Sequence, residues 1–353
     1  MPPEDEPSAG LAELAAGVRR GEKLAVARAL NLVEDRRAVA RERVAELLDH
    51  LREESPRGHR VGLTGPPGVG KSTLAAALAR TLRERERTVG VVAVDPSSVR
   101  SGGALLGDRA RMGFDPRDAG VFVRSLATGG EAGGLSWATH AAVLVLAAAY
   151  ELVLVETTGV GQTETDVRHV ADTVALVVQP GSGDVLQFLK AGVMEIPDVL
   201  VVNKADHAEL AQRAVSDLRG ALRTAASAGA GQDLPIVPTS ATGGTGLGEL
   251  VDALDAHRAA LAPDLGARRR EGEVAWALQL FARQHGEHGV TTLGGRRALE
   301  ATIAAALDEA APPLVASRLG DRYLDALRAD GTATRGTPAA RDDAPELART
   351  RTS

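Results

Sequence analysis

Apolar residues between positions 11 and about 52 recur at helical spacing: Leu14 and Val18, then Leu30 and Val33, then Val44, Leu47, Leu48 and Leu51. Gly21 interrupts the first stretch, so the pattern predicts an N-terminal extension of more than one helix. After Ser55, Pro56, Arg57 and Gly58 the rhythm changes. Short β-branched runs predict strands near 60–64, 88–94, 120–124, 151–156, 172–178, 198–202 and 235–238. Longer stretches between them predict helices at 71–86, 134–149, 206–228 and 246–261. Strands apolar on both faces, alternating with helices, predict an α/β fold with a mostly parallel, doubly wound sheet. Pro263 closes that unit, and helical patterns around 270–284, 294–309 and 314–328 predict a C-terminal helical module. From about Asp330 large apolar residues all but vanish, so burial cannot offset the entropy of ordering and a disordered tail is expected. The expected division is residues 1–55, 56–263, 264–330 and 331–353.

Composition narrows the chemistry. The 353 residues suit one large domain carrying smaller helical parts. With 41 basic against 47 acidic residues and no long basic run, no nucleic-acid partner is expected. Cysteine is absent, which excludes disulfides, thiolate metal sites and thiol nucleophiles. The acidic N-terminus lacks the apolar core of a signal peptide. The longest apolar run, 141–150, falls short of the roughly 20 residues that span a bilayer. A cytoplasmic protein without a membrane segment is expected. Lysine occurs only at positions 23, 71, 190 and 204, so each one stands out.

The segment Gly65-Pro66-Pro67-Gly68-Val69-Gly70-Lys71-Ser72 has the spacing of a phosphate-binding Walker A loop. It lies where the chemistry needs it, between an expected strand and an amphipathic helix beginning at Lys71; a bare glycine-rich turn would not require that context. Together with Thr73 it is the expected phosphate site. Its glycines let backbone N–H groups converge on phosphate oxygens, and the helix start adds the positive end of its dipole. Lys71 reaches the β and γ oxygens, and the Ser72 hydroxyl can ligate Mg²⁺. A second oxygen donor should end a neighbouring strand. Glu156 does so, followed by Thr157, Thr158 and Gly159, whose N–H is expected to sense the γ-phosphate and to release the loop from 157 to about 166 upon hydrolysis.

Lys71, Glu156 and Gln162 are the expected catalytic residues, and Ser72, Asp95, Asp108 and Glu156 the expected metal shell. Asp95 ends a strand and Asp108 lies in a glycine-flanked loop, so either could instead be an ordinary acid capping a turn. Val160 stands where many small GTPases place a water-orienting glutamine, and valine cannot orient water. Gln162 either compensates or faces solvent. Slow intrinsic hydrolysis, accelerated by a partner, is the expectation.

Asn203-Lys204-Ala205-Asp206 follows an apolar strand, so its side chains should emerge at the carboxyl edge of the sheet. The Asp206 carboxylate can accept from both the N1–H and the 2-amino group of guanine, whereas adenine would leave it unpaired. Lys204 should lie along the base and brace the phosphate loop. Ser240 and Ala241, after the last strand, suit a loop whose backbone meets the guanine O6. Alone, four such residues are a weak signal, since Asn and Lys also serve as caps and solvated charges; their order along the chain strengthens it.

These loops are accompanied by Val94-Asp95-Pro96-Ser97-Ser98, Gly102-Gly103, Leu106-Gly107-Asp108-Arg109, Glu156 to Gln162, and Asp184-Val185-Leu186-Gln187 with Lys190. Over most of residues 11–285 the chain thereby resembles the MeaB/ArgK family, bacterial counterparts of the human methylmalonic aciduria type A protein. The resemblance implies a P-loop NTPase fold of the SIMIBI type, GTP/GDP and Mg²⁺ as ligands, and a homodimer formed through the C-terminal helices. It implies as partner an adenosylcobalamin-dependent acyl-CoA mutase, usually methylmalonyl-CoA mutase, whose cofactor delivery is gated and which is protected or reactivated. It also implies that Asp95, Asp108 and Glu156 are the Mg²⁺ and switch acids. A third switch, 181–192 with Asp184, Gln187 and Lys190, would couple the nucleotide to the mutase.

Val99-Arg100-Ser101, Phe188-Leu189 and Ala191 depart from the family pattern, which bears on the client and the coupling, not on the GTP site. Two other readings stay open. A small-molecule P-loop kinase linked to amino-acid transport would have to reconcile a guanine-reading loop with an ATP donor. A nickel-insertion GTPase for hydrogenase or urease would need Cys or His ligands near the switch, where His169 alone stands.

Overall fold

The computed structural model describes residues 8–35, 37–52, 58–95, 113–115, 117–127, 135–157, 163–181, 197–227 and 234–333. Three helices lead: α1 (Ser8–Arg19), α2 (Lys23–Glu34) and α3 (Ala38–Arg52). The sheet region follows as β1 (His59–Thr64), α4 (Lys71–Glu84), β2 (Val89–Asp95), β3 (Val121–Ala127), α5 (Trp137–Ala149), β4 (Leu152–Glu156) and α6 (Thr163–Val170). It continues through β5 (Thr173–Val178), β6 (Val199–Val202), α7 (Ala208–Ser227), β7 (Ile236–Pro238) and α8 (Leu247–Leu261). The chain ends in α9 (Leu265–Thr292), α10 (Arg296–Ala306) and α11 (Pro312–Ala333).

The seven strands form one sheet in the order β3-β2-β4-β1-β5-β6-β7, and every neighbouring pair is parallel. All seven match the expected runs closely. The continuous apolar character of β5 and β6 has a direct cause, since alternate side chains bury on opposite faces. Val61 and Leu63 of β1, with Val91 of β2 and Leu154 of β4, join a core under α4 and α8 that includes Leu74, Leu78, Leu250 and Leu254. Val92, Val153 and Val155 face the other way, into a core with Val143 and Leu146 of α5 and with Val18, Leu30, Val44 and Leu47 of α1 to α3. The N-terminal helices therefore cover one sheet face through α5, with their apolar positions at the spacing read from the sequence. Leu176, Val178, Leu200 and Val202 pack beneath Leu218 and Leu222 of α7. Each fully buried leucine contributes about 1.5–3 kcal/mol relative to exposure.

The C-terminal helices have a cluster of their own, with Phe281, Leu299, Ile303, Leu319 and Tyr323 buried together. Gly286, with φ 65° and ψ −171°, breaks α9 near the end of the expected helical stretch. These helices also meet the N-terminal ones: the Ala311 N–H donates to Asp49 Oδ1 at 2.6 Å and Arg52 donates to the Leu307 carbonyl at 2.5 Å. Trp276 of α9 stacks on His140 of α5, with centroids 5.0 Å apart and planes 12° from parallel. Burial lowers that histidine to about 3, so it is neutral at physiological pH.

Two expectations require correction. Residues 163–166, expected to belong to a switch loop, are the first half of helix α6. Only two apolar residues, Val167 and Val170, mark that helix, too few for a period to emerge from eight positions. At the other end, α11 runs to Ala333, slightly past the point where the tail was expected to begin; residues 334–353 lie outside the described residues. Among the described residues no helix is long and apolar enough to cross a membrane.

Candidate nucleotide site

The strand order reverses at β1, whose neighbours β4 and β5 lead away in opposite directions, and ligands of such sheets bind at the carboxyl ends beside that point. The loop 65–70 follows β1 there and feeds directly into α4. Gly65 has φ 139°, and a Cβ on it would sit 2.1 Å from the Val177 carbonyl oxygen, so only glycine lets the loop turn against β5. Pro67 and Gly68 are exposed and Val69 is buried, which anchors the loop while leaving its tip open. Thr73, in the first turn of α4, is exposed.

Lys71 is buried at the start of α4. Its Nζ donates to the carbonyls of Gly65 at 2.8 Å and Pro66 at 2.9 Å, so the ammonium is held inside the loop that it follows. Ser72 donates its hydroxyl to Glu156 Oε1 at 2.5 Å. Glu156 ends β4, is buried, and stands in register with Leu63 of β1 and Ala93 of β2. The sheet thus carries this carboxylate to the N-terminus of α4, where two hard oxygen donors meet beside the positive end of a helix dipole. Thr157 continues the attachment, its N–H donating to the Leu63 carbonyl at 3.1 Å. Asp95 is the last residue of β2, paired in register with Ala127. Asp108, Gly159, Gln162, Asp184, Gln187 and Lys190 lie outside the described residues.

The second loop is knitted to the first. Asn203 is buried, and its Nδ2 donates to the Val69 carbonyl at 2.8 Å while its Oδ1 accepts from the Ala241 N–H at 3.3 Å. One side chain therefore bridges the phosphate loop and the 240–241 loop. Lys204 crosses back over the phosphate loop and donates to the Gly68 carbonyl at 2.7 Å. It also donates to Gln179 Oε1 at 2.7 Å, a contact that no motif announced. Asp206 is exposed, and its Oδ1 accepts from the Ser240 hydroxyl at 2.5 Å. Ser240 in turn accepts from the Gly243 N–H at 2.8 Å. Two segments more than 100 residues apart thus meet at the carboxyl edge of the sheet, one carrying an exposed carboxylate and the other leading into α4.

At the opposite edge of the sheet the amino ends of the strands are fastened to α9. Arg269 grips Asp172 through Nε at 2.8 Å and a terminal nitrogen at 2.7 Å; Arg268 grips Asp198 at 2.7 Å. Each aspartate also accepts a backbone N–H, from Arg60 and Val174 respectively. Burial pushes Asp172 upward, but the Arg269 hydrogen bonds and the charges of Arg60 and Arg269 outweigh it and hold the group below the usual carboxylate range. Burial likewise raises Asp198, and hydrogen bonds from His257 and Arg268 bring it down to about 2. His257 Nδ1 also shares a hydrogen bond with the Thr173 hydroxyl at 2.8 Å, and that hydroxyl meets His59 Nε2 at 2.7 Å. The resulting Asp-His-Thr chain has the order of a nucleophile relay, but Thr173 is fully buried, so it joins strands and does not perform catalysis.

The same helix touches α6, the element that follows the Glu156-Gly159 motif. A Cβ on Gly272 would lie 2.2 Å from the His169 carbonyl oxygen, so α9 approaches α6 backbone to backbone. Gly272→Ala is expected to cost about 1–3 kcal/mol through overpacking, measurable as a lower urea midpoint with an unchanged slope.

The comparisons with known proteins agree with this geometry. The family model described as methylmalonyl-CoA mutase-associated GTPase MeaB matches residues 26–290. A probable GTPase of Mycobacterium tuberculosis is 43% identical over 272 residues, covering 76% of this chain and 81% of that protein. The mitochondrial methylmalonic aciduria type A homolog of Mus musculus is 33% identical over 287 residues, covering 77% of this chain and 69% of the mouse protein. Among solved structures, the LAO/AO transport system kinase superimposes with a TM-score of 0.61 at 26% identity, covering 91% of this chain and all of that one. A parallel sheet with its phosphate loop after β1, a guanine-type loop after β6, and a match spanning both make this chain a GTPase that belongs to the MeaB family.

Proposed function

We propose that this GTPase is the nucleotide-controlled chaperone of an adenosylcobalamin-dependent acyl-CoA mutase, with methylmalonyl-CoA mutase as the first client to test. The observation that carries the reading is the family match, which spans residues 26–290 and so includes both loops. In this reading GTP state gates cofactor loading and protects or reactivates the mutase. The sheet region, residues 56–263, binds nucleotide, the helices of 264–330 make a homodimer, and the protein works in the cytoplasm.

Residue roles follow from these loops in this reading. Asp206 reads the guanine edge, Asn203 and Lys204 brace the loop beneath it, and Ser240 and Ala241 close its far side. The backbone of 65–70 and the start of α4 bind phosphate oxygens. Lys71 exchanges its two carbonyl partners for the β and γ oxygens, an exchange of neutral for charged acceptors that strengthens each hydrogen bond. The Ser72 hydroxyl and Glu156 carboxylate, already in contact, suit a hard divalent cation and would hold Mg²⁺, with Asp95 and Asp108 completing the shell. When bound, Mg²⁺ neutralises charge developing on the phosphate oxygens. Gly159 senses the γ-phosphate, Gln162 positions water, and Asp184, Gln187 and Lys190 relay the state to the mutase.

The test is GTP turnover by the full-length protein with and without purified methylmalonyl-CoA mutase in Mg²⁺ buffer. Turnover is expected to rise roughly tenfold, within the range of ordinary coupling between sites. Unchanged turnover and nucleotide affinity, together with no complex on gel filtration with that mutase or an isobutyryl-CoA mutase, would reject the client.

A further inference from the structure

Lys204 has a left-handed backbone, φ 62°, which a lysine adopts only when its surroundings impose it. Its side chain is exposed, yet its ammonium is held by the Gly68 carbonyl and by Gln179 Oε1, each at 2.7 Å. In water such contacts gain little, and they freeze a flexible four-carbon stem. The arrangement is suited to a different moment, when a flat base covers the stem, excludes water and so strengthens the same hydrogen bonds. Gln179 is placed for this by the sheet. It directly follows β5, the strand between β1, which carries the phosphate loop, and β6, which carries Asn203. It is half-buried, and the turn at Pro180 and Gly181 follows it.

We propose that Gln179 is a positioning residue of the guanine site: its side-chain carbonyl fixes Lys204 in the pose that stacks along the base. The inference rests on the reading of residues 203–206 as the guanine loop and adds to it a residue from a different strand.

The test measures GDP and GTP affinity of full-length Q179M and Q179E by titration calorimetry, with melting curves of the nucleotide-free proteins. Methionine keeps the length and removes the acceptor, while glutamate keeps the acceptor and adds charge. Q179M is expected to weaken both nucleotides roughly tenfold, the effect of losing a hydrogen bond to a charged group, while Q179E holds within about twofold of the parent. Nucleotide-free melting temperatures should move by less than about 2 °C. Wild-type affinity in Q179M, equal weakening in Q179E, or a large fall in the nucleotide-free melting temperature would each overturn the role. Asp206→Asn, measured in parallel, separates the two levels. If Asp206→Asn keeps the preference for GTP over XTP, the guanine loop itself is refuted. If it switches while Q179M stays inert, Gln179 alone is refuted.

Discussion

Asp206→Asn is expected to turn the nucleotide preference of this GTPase from guanine to xanthine, with GTP affinity falling by a factor on the order of 10³–10⁴. The carboxylate of Asp206 has no hydrogen to donate, so in the proposed site it would pair with the N1–H and 2-amino donors of guanine. An asparagine amide presents one acceptor and one donor face. The Ser240 hydroxyl, which donates to Asp206 Oδ1 at 2.5 Å, would hold the amide oxygen on its own side and leave Nδ2 toward the base. That donor repels the 2-amino group of guanine and suits the 2-carbonyl of xanthine. Parallel calorimetric titrations with GDP, XDP, GTP and XTP measure the switch, and a variant still selective for GTP would remove Asp206 from the base-reading role.

Arg269→Met is expected to cost about 3–5 kcal/mol at pH 7, because it leaves the Asp172 carboxylate buried without its bidentate partner. Asp172 is 1% exposed, so water cannot take over. The pH dependence fixes the cause. In the parent, Asp172 and Asp198 are held below the unfolded value near 3.9, so their stabilisation is complete above it. That stabilisation is lost as pH falls below it, for Asp198 through about 2. In the variant, burial dominates and raises Asp172, so protonation in acid relieves the penalty and the gap between variant and parent narrows from pH 7 to pH 4. Urea titrations at the two pH values test this, and a gap that stays constant would show that packing, not charge, carries the effect.

The sequence was readable where one local rule dominated. Strands such as β4, β5 and β6, apolar on both faces, betray themselves as runs rich in valine, and the loops at 65–72 and 203–206 carry their chemistry in contiguous letters. Helix α6 was not readable, because its two buried valines gain their meaning from the sheet and α9 beside them. Nothing local marks Arg268 and Arg269 either, because their partners Asp198 and Asp172 lie dozens of residues away, each just before a different strand. Gln179 escaped notice for the same reason: its significance is a contact with Lys204 across the sheet edge, and no residue adjacent in sequence predicts it.

The packing of α1 to α3 on α5 also sets an order of events during synthesis. The apolar faces carrying Val18, Leu30 and Leu47 are complete once Arg52 has been made, yet the helix that covers them begins at Trp137. A ribosome adding roughly 5–20 residues per second leaves those faces without their partner for on the order of ten seconds. These helices are thus made well before the element that covers them, and a stall before α5 leaves a nascent chain whose exposed leucines and valines make it prone to aggregate.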